Sequence, residues 1–183
     1  MDDEELVVLV DSNGHDLLNA DGTVRTMPKM EAHRKGVGHR AISVFIFNHA
    51  SELLLQKRAL DKYHSPAKWT NTCCTHCRPD EILLDTATRR LGKEMGLGCE
   101  LREIFTFSYH ADVGNGLIEN EFDHVFVGFS DENPTTIDPT EISGWKWISM
   151  TSLEENLIRD PETYTYWLRY CFAEVLDNIK RYV

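Results

Sequence analysis

The sequence lacks any apolar run of the roughly 20 residues that a helix needs to span a bilayer. It also lacks an excess of positive charge, since 19 Lys and Arg stand against 30 Asp and Glu, a formal net charge of −11 at pH 7. Such a surface repels nucleic acid and anionic lipid, so we expect neither nucleic acid nor membrane as a partner. A phosphate compound would need a local cluster of cations or a metal ion.

A secretory signal is missing as well. The segment from Met1 to Glu5 is acidic where such a signal is basic. The five cysteines are an odd number, which does not indicate a disulfide framework in a chain without a signal. We therefore expect reduced thiols and a cytoplasmic location. The sequence leaves the oligomeric state open, and a monomer is compatible with it.

Hydrophobic periodicity predicts one mixed α/β domain over residues 1–183, because no linker or repeat interrupts the chain. Helical stripes are formed by Leu84, Ala87, Leu91 and Met95 and by the segment from residue 164 to 179, and Thr151 with Glu154 resembles a capping box. We expect a fold of the α+β type, with a mixed central β-sheet flanked by helices. The predicted strands cover residues 41–47, 53–55, 105–107, 125–127 and 145–148, with a hairpin between the first two and a Gly-rich loop at 114–116.

The densest chemistry lies between Trp69 and Cys77, where three cysteines and one histidine fall within five residues. Three interpretations compete. Cys74 and Cys77 form a C-x-x-C redox motif, although it lies later in the chain than a thioredoxin-like fold would place it. A structural zinc site is a second, although a second ligand pair is missing. The third makes Cys74 a catalytic acid or nucleophile beside His76 as a metal ligand.

Two carboxylates, Glu119 and Glu121, are spaced two residues apart, so on a strand both would point to one face. They would repel each other unless a proton or cation lay between them. A solvated acidic turn explains the spacing equally well. Counted with His33, His39 and His76, they make a plausible divalent-metal site whose oxygen content favours Mn²⁺, Mg²⁺ or catalytic zinc over structural zinc.

Cations flank the predicted strands and could form a diphosphate clamp on this acidic protein, although each alone reads as a surface charge. Arg90 and Glu94 are four residues apart and share a helix face, which suits a simple ion pair or an anion contact beside a Mg²⁺ ligand. The cations are Lys29, Arg58, Lys62, Arg89 and Arg90.

The segment WTNTCC at 69–74 followed by His76, together with Glu119-Asn-Glu121, resembles the type I isopentenyl-diphosphate isomerases, a branch of the Nudix superfamily. The resemblance runs from about Leu6 to Arg169. It implies a Nudix-like fold and the isomerisation of isopentenyl diphosphate to dimethylallyl diphosphate in isoprenoid biosynthesis, by protonation and deprotonation. The implied partner is a small prenyl diphosphate.

The same resemblance implies roles for single residues. Cys74 and Glu121 would be the catalytic pair, with Tyr109 hydrogen-bonded to the carboxylate and Trp167 facing the hydrocarbon. Glu94 would help to bind a Mg²⁺ that rides on the diphosphate. The diphosphate would meet Lys29, Arg58, Lys62 and Arg90, and one Mn²⁺, Zn²⁺ or Mg²⁺ would be held by His33, His39, His76, Glu119 and Glu121.

A Nudix-type diphosphate hydrolase is the alternative. Compared with the hydrolase motif, the chain keeps Glu81 and Glu94 but carries Arg90 and Lys93 where acids are usual, which should weaken hydrolysis. Within the isomerase branch, Cys77 stands where proline is usual. We hypothesise that its thiol pairs with Cys74 on oxidation.

Overall fold

A central sheet of seven strands organises the computed structural model, which describes residues 5–180. Most of the acidic segment from Met1 to Glu5 therefore lies outside the described residues. The helices are α1 (Lys29–Lys35), α2 (Leu83–Met95), α3 (Met150–Arg159) and α4 (Tyr166–Ile179). The strands are β1 (Leu6–Val8), β2 (Thr26–Pro28), β3 (His39–Phe47), β4 (Glu52–Arg58), β5 (Trp69–Thr70), β6 (Cys73–Thr75), β7 (Leu101–Gly114), β8 (Leu117–Phe129) and β9 (Ile142–Ser149).

Strand β3 lies at the centre of this sheet and runs parallel to β8, whereas the other pairings are antiparallel, so the prediction of a mixed sheet flanked by helices is confirmed. The predicted β3–β4 hairpin is right only at its tip, where Phe47 faces Leu53. Beyond it, the Thr72 hydroxyl lies between the strands, accepting from the Ile46 amide at 2.9 Å and donating to the Leu54 carbonyl at 2.6 Å. Strand β4 then pairs with β9 instead.

Of the three core clusters among the described residues, the two largest lie on opposite faces of the central sheet. Because successive residues of a strand alternate in direction, Phe45 packs toward α3 and α4, whereas Val44 packs toward α2. The same alternation in β6 puts Cys73 on the α2 face and Cys74 on the α4 face. The side chains of Cys73 and Cys74 therefore lie on opposite sides of the sheet.

The predicted helices are present, but the buried face of α2 and the N-cap of α3 differ from the prediction. In α2, Leu84 is exposed, and the buried stripe runs through Thr86 and Glu94 as well as the apolar positions. Helix α3 is capped by the Ser149 hydroxyl, which accepts from the Ser152 amide at 3.2 Å, so Thr151 is not the cap. Among the helices of residues 5–180, none is long and apolar enough to cross a membrane.

Candidate active site

Strand β8 places three carboxylates in a row on one face of the sheet. Glu119, Glu121 and Asp123 are all buried, whereas Asn120 and Phe122 between them are only partly so. The two-residue spacing therefore gives a shared buried face and not a solvated turn. All three acids line a single cavity.

Three histidines from different elements meet the first two acids. His33 in α1 lies 3.2 Å, Nε2 to Oε2, from Glu119. His39 opens β3 in register with Glu121, and its Nε2 lies 3.5 Å from Glu121 Oε1. His76, just after β6, brings its Nε2 to 3.0 Å from the same oxygen. The last turn of α1, the central strand and the cysteine segment thus converge on β8.

These atoms fit a divalent metal. Within residues 5–180, Nε2 of His33 and of His39 and Oε2 of Glu119 are buried without a hydrogen-bond partner. The opposite ring nitrogens are fixed by backbone carbonyls, since Nδ1 of His33 lies 2.6 Å from the Lys29 carbonyl and Nδ1 of His39 lies 2.8 Å from that of Val37. This is how proteins orient imidazole ligands toward a metal. The four side chains of His33, His39, His76 and Glu121 form a group that could hold an ion.

The histidine group also affects the ionisation of Glu121. Burial alone would raise the pKa of this carboxyl, but the imidazoles of His39 and His76 bring its pKa well below the ordinary value of 4.5. Tyr109, opposite Glu121 in the β7–β8 register, donates its hydroxyl to Glu121 Oε2 at 2.5 Å. Glu121 therefore touches both the histidine group and a phenol.

A fourth histidine, His64, belongs to the same site, although the sequence did not predict it. Its Nε2 lies 2.7 Å from Glu119 Oε1, and with His33 and Glu119 it forms a second group that could hold an ion. His64 lies in the loop between β4 and β5, where no periodicity relates it to β8. The sequence offered only its closeness to the cysteine segment as a signal.

The thiol of Cys74 faces the cavity beside the indole of Trp167, whose Nε1 lies 3.2 Å from the sulfur. Burial raises the pKa of Cys74 to about 12, so the thiol keeps its proton at neutral pH. Asn71, which sequence reasoning missed, accepts from both groups through Oδ1, at 3.0 Å from Cys74 Sγ and 3.1 Å from Trp167 Nε1. Its amide nitrogen donates to the carbonyls of Val44 and Cys73 at 3.2 and 3.0 Å.

Three of the predicted phosphate ligands line the cavity together, and each contacts a carboxylate. Lys29 pairs with Glu5, and Lys62 lies 2.6 Å from Glu141. Arg90 pairs with Glu94 and lies 3.6 Å from Glu141. The cations therefore converge as the clamp hypothesis requires, on one wall with acidic neighbours.

Two further predicted residues have other contacts. Arg58 also lines the cavity, but it donates to two loop carbonyls, from Nε to Ser65 and from Nη2 to His64, both at 3.1 Å. Glu94 is buried beneath the cavity wall with Arg90 and outside both histidine groups, and its burial raises its pKa. Its proposed contact with Mg²⁺ is therefore less direct than its spacing from Arg90 indicated.

The remaining acid and cation of the hydrolase-like motif pair with each other. Arg89 does not line the cavity and donates to both oxygens of Glu81 at 2.9 Å. The Thr86 hydroxyl donates to Glu81 Oε2, also at 2.9 Å. Glu81 is therefore a structural acid in this chain.

Within the described residues, the cysteine segment forms neither a thiol–metal site nor a pair of thiols that face each other. All five cysteines are free, and the two possible metal-binding groups found within residues 5–180 contain histidine and glutamate alone. Cys77 is buried on the α2 face with Cys73, and its thiol donates to the Glu81 carbonyl at 3.1 Å. Cys74 packs on the opposite face. This packing argues against the hypothesised Cys74–Cys77 disulfide, which an oxidation experiment tests.

Known structures with the same architecture support the fold assignment. DR0079 from Deinococcus radiodurans superposes with a TM-score of 0.62 at 18% identity, covering 85% of this chain and 90% of that one. A MutT protein from Methanosarcina mazei gives a TM-score of 0.61 at 19% identity, with coverages of 75% and 91%. At such identities these likenesses establish the fold alone.

Sequence relatives are much closer. The NUDIX domain pattern matches residues 37–171. Isopentenyl-diphosphate Delta-isomerase 2 of Aromatoleum aromaticum is 47% identical over 174 residues, which cover 95% of this chain and 88% of the relative. The isopentenyl-diphosphate Delta-isomerase of Pectobacterium atrosepticum is 45% identical, with coverages of 93% and 91%. The chain therefore belongs to the NUDIX family and, within it, to the isopentenyl-diphosphate Delta-isomerases.

Proposed function

We propose that this protein converts isopentenyl diphosphate to dimethylallyl diphosphate by a 1,3-allylic shift, a step of isoprenoid biosynthesis. The relatives of 45 and 47% identity carry this activity in their names. The observation that carries the proposal is one cavity lined by a thiol, a carboxylate–phenol pair and an indole, namely Cys74, Glu121 with Tyr109, and Trp167.

The reaction needs two proton transfers at different carbons. A proton adds to the terminal alkene carbon, and a C–H bond breaks at the carbon between the alkene and the diphosphate-bearing carbon, so the double bond moves and no atoms are lost. An alkene is a very poor base, so the acid must be held close and oriented. Cys74 and Glu121 are the two groups, and they exchange roles in the reverse reaction.

Between the two transfers, positive charge develops on the tertiary carbon. The indole of Trp167 offers an electron-rich face that cannot add to a cation, a contact worth about 2 kcal/mol when desolvated. Trp167 is buried in α4, and its N–H is already engaged by Asn71 and Cys74. The reaction also requires that water be kept from the cation, which it would otherwise trap as an alcohol.

The diphosphate binds where Lys29, Lys62 and Arg90 line the cavity, and Glu94 would help to hold a Mg²⁺ that accompanies it. Arg58, which lines the same cavity, contributes further positive charge. His33, His39, His76, Glu119 and Glu121 would hold one Mn²⁺, Zn²⁺ or Mg²⁺. Such an ion supplies positive charge that fixes the orientation of the carboxylates.

The test is incubation with isopentenyl diphosphate and Mg²⁺ in deuterated water. We expect deuterium in a methyl group of the allylic product. Cys74→Ala and Glu121→Gln should each abolish product, whereas Cys99→Ala, which removes a thiol outside the cavity, should leave it unchanged. Absence of allylic product from the unaltered protein would refute the proposal, and phosphate release from nucleoside diphosphate derivatives would favour the hydrolase instead.

A further inference from the structure

The loop between β4 and β5 carries His64 in a tightly fixed conformation. Arg58 reaches back from the end of β4 and donates to the carbonyls of His64 and Ser65, both at 3.1 Å. Ser65 and Ala67 have φ values of 47° and 59°, in the left-handed region that residues with a Cβ adopt at a cost. A loop held against such strain places its side chains precisely.

The imidazole of His64 is buried between the rings of His33 and Trp167. Its ring is inclined by 27° to that of His33, with centroids 5.8 Å apart, and stands edge-on to Trp167 at 5.9 Å. Its Nε2 lies 2.7 Å from Glu119 Oε1. An ionised carboxylate only accepts hydrogen bonds, so Nε2 carries the hydrogen in this contact.

The two oxygens of Glu119 therefore have different surroundings. Oε1 lies 2.7 Å from His64 Nε2, whereas Oε2 lies 3.2 Å from His33 Nε2 and, within the described part of the chain, is buried without a hydrogen-bond partner. A carboxylate held by one oxygen offers the other in a fixed direction.

From this arrangement we propose that His64 is a positioning residue of the metal group, whose Nε2–H holds Oε1 of Glu119 so that only Oε2 faces the ion. The inference rests on the metal site of the proposed function. The other arrangement, in which His64 itself is a ligand together with His33 and Glu119, predicts different behaviour for one variant.

The experiment measures Zn²⁺ affinity of the purified protein by competition with a chromophoric chelator. His64→Ala removes the donor, and we expect affinity to fall by about 10- to 100-fold at unchanged stoichiometry, the usual effect of losing a group that orients a metal ligand. His64→Gln places an amide N–H where Nε2–H was and should restore most of the affinity. The absorption spectrum of bound Co²⁺ should be the same in His64→Gln and the parent.

A matched control is His124→Ala. His124 also contacts a glutamate, with Nδ1 2.7 Å from Glu103, but away from the cavity, so its loss should leave the affinity unchanged. Parental affinity in His64→Ala overturns the inference. A His64→Gln variant that binds as weakly as His64→Ala, with an altered Co²⁺ spectrum, identifies His64 as a ligand and also overturns it.

Failure of the wider proposal looks different. A parent protein that binds metal and forms the allylic product, while His64→Ala retains its affinity, contradicts the role of His64 alone. A parent protein that binds no Zn²⁺ or Co²⁺ contradicts both the positioning role and the metal site on which it rests.

Discussion

The indole nitrogen of Trp167 and the sulfur of Cys74 lie 3.2 Å apart, and both donate to one oxygen, Oδ1 of Asn71. Trp167 comes from α4, whereas the other two come from the segment around β6. A single amide thus joins the proposed proton-transfer group to the proposed hydrocarbon wall. The position of the thiol depends on the position of the ring.

Replacing Trp167 by Phe keeps an aromatic face and removes the indole N–H. The Cys74 thiol then loses one of its orienting contacts, and a hydrogen bond of this kind contributes about 1 kcal/mol. We expect kcat to fall by about 5- to 10-fold with little change in KM, measured with isopentenyl diphosphate as substrate.

The control for this change is Trp147→Phe. Trp147 also donates through Nε1, at 2.9 Å to Asn133, but that pair is exposed and outside the cavity, so kcat should stay at the parental value. If both variants lost kcat equally, the contact between Trp167 and Cys74 would have no special role.

Replacing Asn71 by Ala should destabilise the fold as well as the site. The buried carbonyls of Val44 and Cys73 would lose their donor, and each unsatisfied buried group costs about 1–3 kcal/mol. We expect the free energy of unfolding to fall by about 2–4 kcal/mol in urea titration. Asn178→Ala, which removes an exposed amide contact in α4, should change it little, and an equally small effect at Asn71 would contradict this assignment.

Replacing Arg58 by Lys tests whether this residue mainly holds the loop between β4 and β5 or binds the diphosphate. Lysine keeps the charge but cannot make both hydrogen bonds of the guanidinium fork. Because those bonds go to the carbonyls of His64 and Ser65, we expect the free energy of unfolding to fall by about 1–3 kcal/mol.

The control is Arg102→Lys, at an exposed arginine paired with Glu100. It should leave the stability of the protein unchanged in the same titration. A rise in KM for the diphosphate substrate in Arg58→Lys, with no loss of stability, would show instead that Arg58 acts mainly on the substrate.

The parts of the site that lie on regular elements were predictable. The two-residue spacing of Glu119 and Glu121 is a property of any strand, and it gave their common face correctly. The apolar stripe of α4 likewise placed Trp167 inward. In both cases the local geometry follows from backbone periodicity, which the sequence displays directly.

The missed residues lie where no periodicity operates. His64 reaches Glu119 because Arg58 fixes an irregular loop, and Asn71 lies in the two-residue link between β5 and β6. Such contacts depend on the tertiary arrangement of distant segments, which residue spacing does not encode. The argument for a disulfide has a related weakness, since the three-residue spacing of Cys74 and Cys77 takes no account of the sheet between their side chains.

The pairing of Cys74 with Cys77 on oxidation is directly testable. After mild oxidation with diamide, we expect no disulfide between Cys74 and Cys77, because their side chains pack on opposite faces of the sheet and Cys77 is 1% exposed. The measurement is mass spectrometry of non-reduced peptides after alkylation. Cys77→Ala should respond to the oxidant as the parent does. Recovery of a peptide with the two cysteines joined would show that the segment rearranges.

The loss of folding stability at acid pH should depend in part on the carboxyl group of Glu141. Burial alone would raise its pKa, but the hydrogen bond from Lys62 at 2.6 Å and the charge of Arg90 lower it below the ordinary value of 4.5. A carboxyl with a lowered folded-state pKa stabilises the protein above its unfolded value, and that contribution is lost as pH falls through the folded value. Glu141→Gln should therefore be less stable than the parent at pH 7.

The difference should shrink below pH 4.5 and vanish once the parent carboxyl is protonated, as measured by urea titrations at a series of pH values. Glu155→Gln, at an exposed acid of α3, should leave the free energy of unfolding at pH 7 unchanged. The Glu141→Gln variant also tests the proposed diphosphate clamp, because Glu141 contacts both Lys62 and Arg90. If the Glu141 difference persisted at the lowest pH, the stabilisation would come from packing and not from its charge on those two cations.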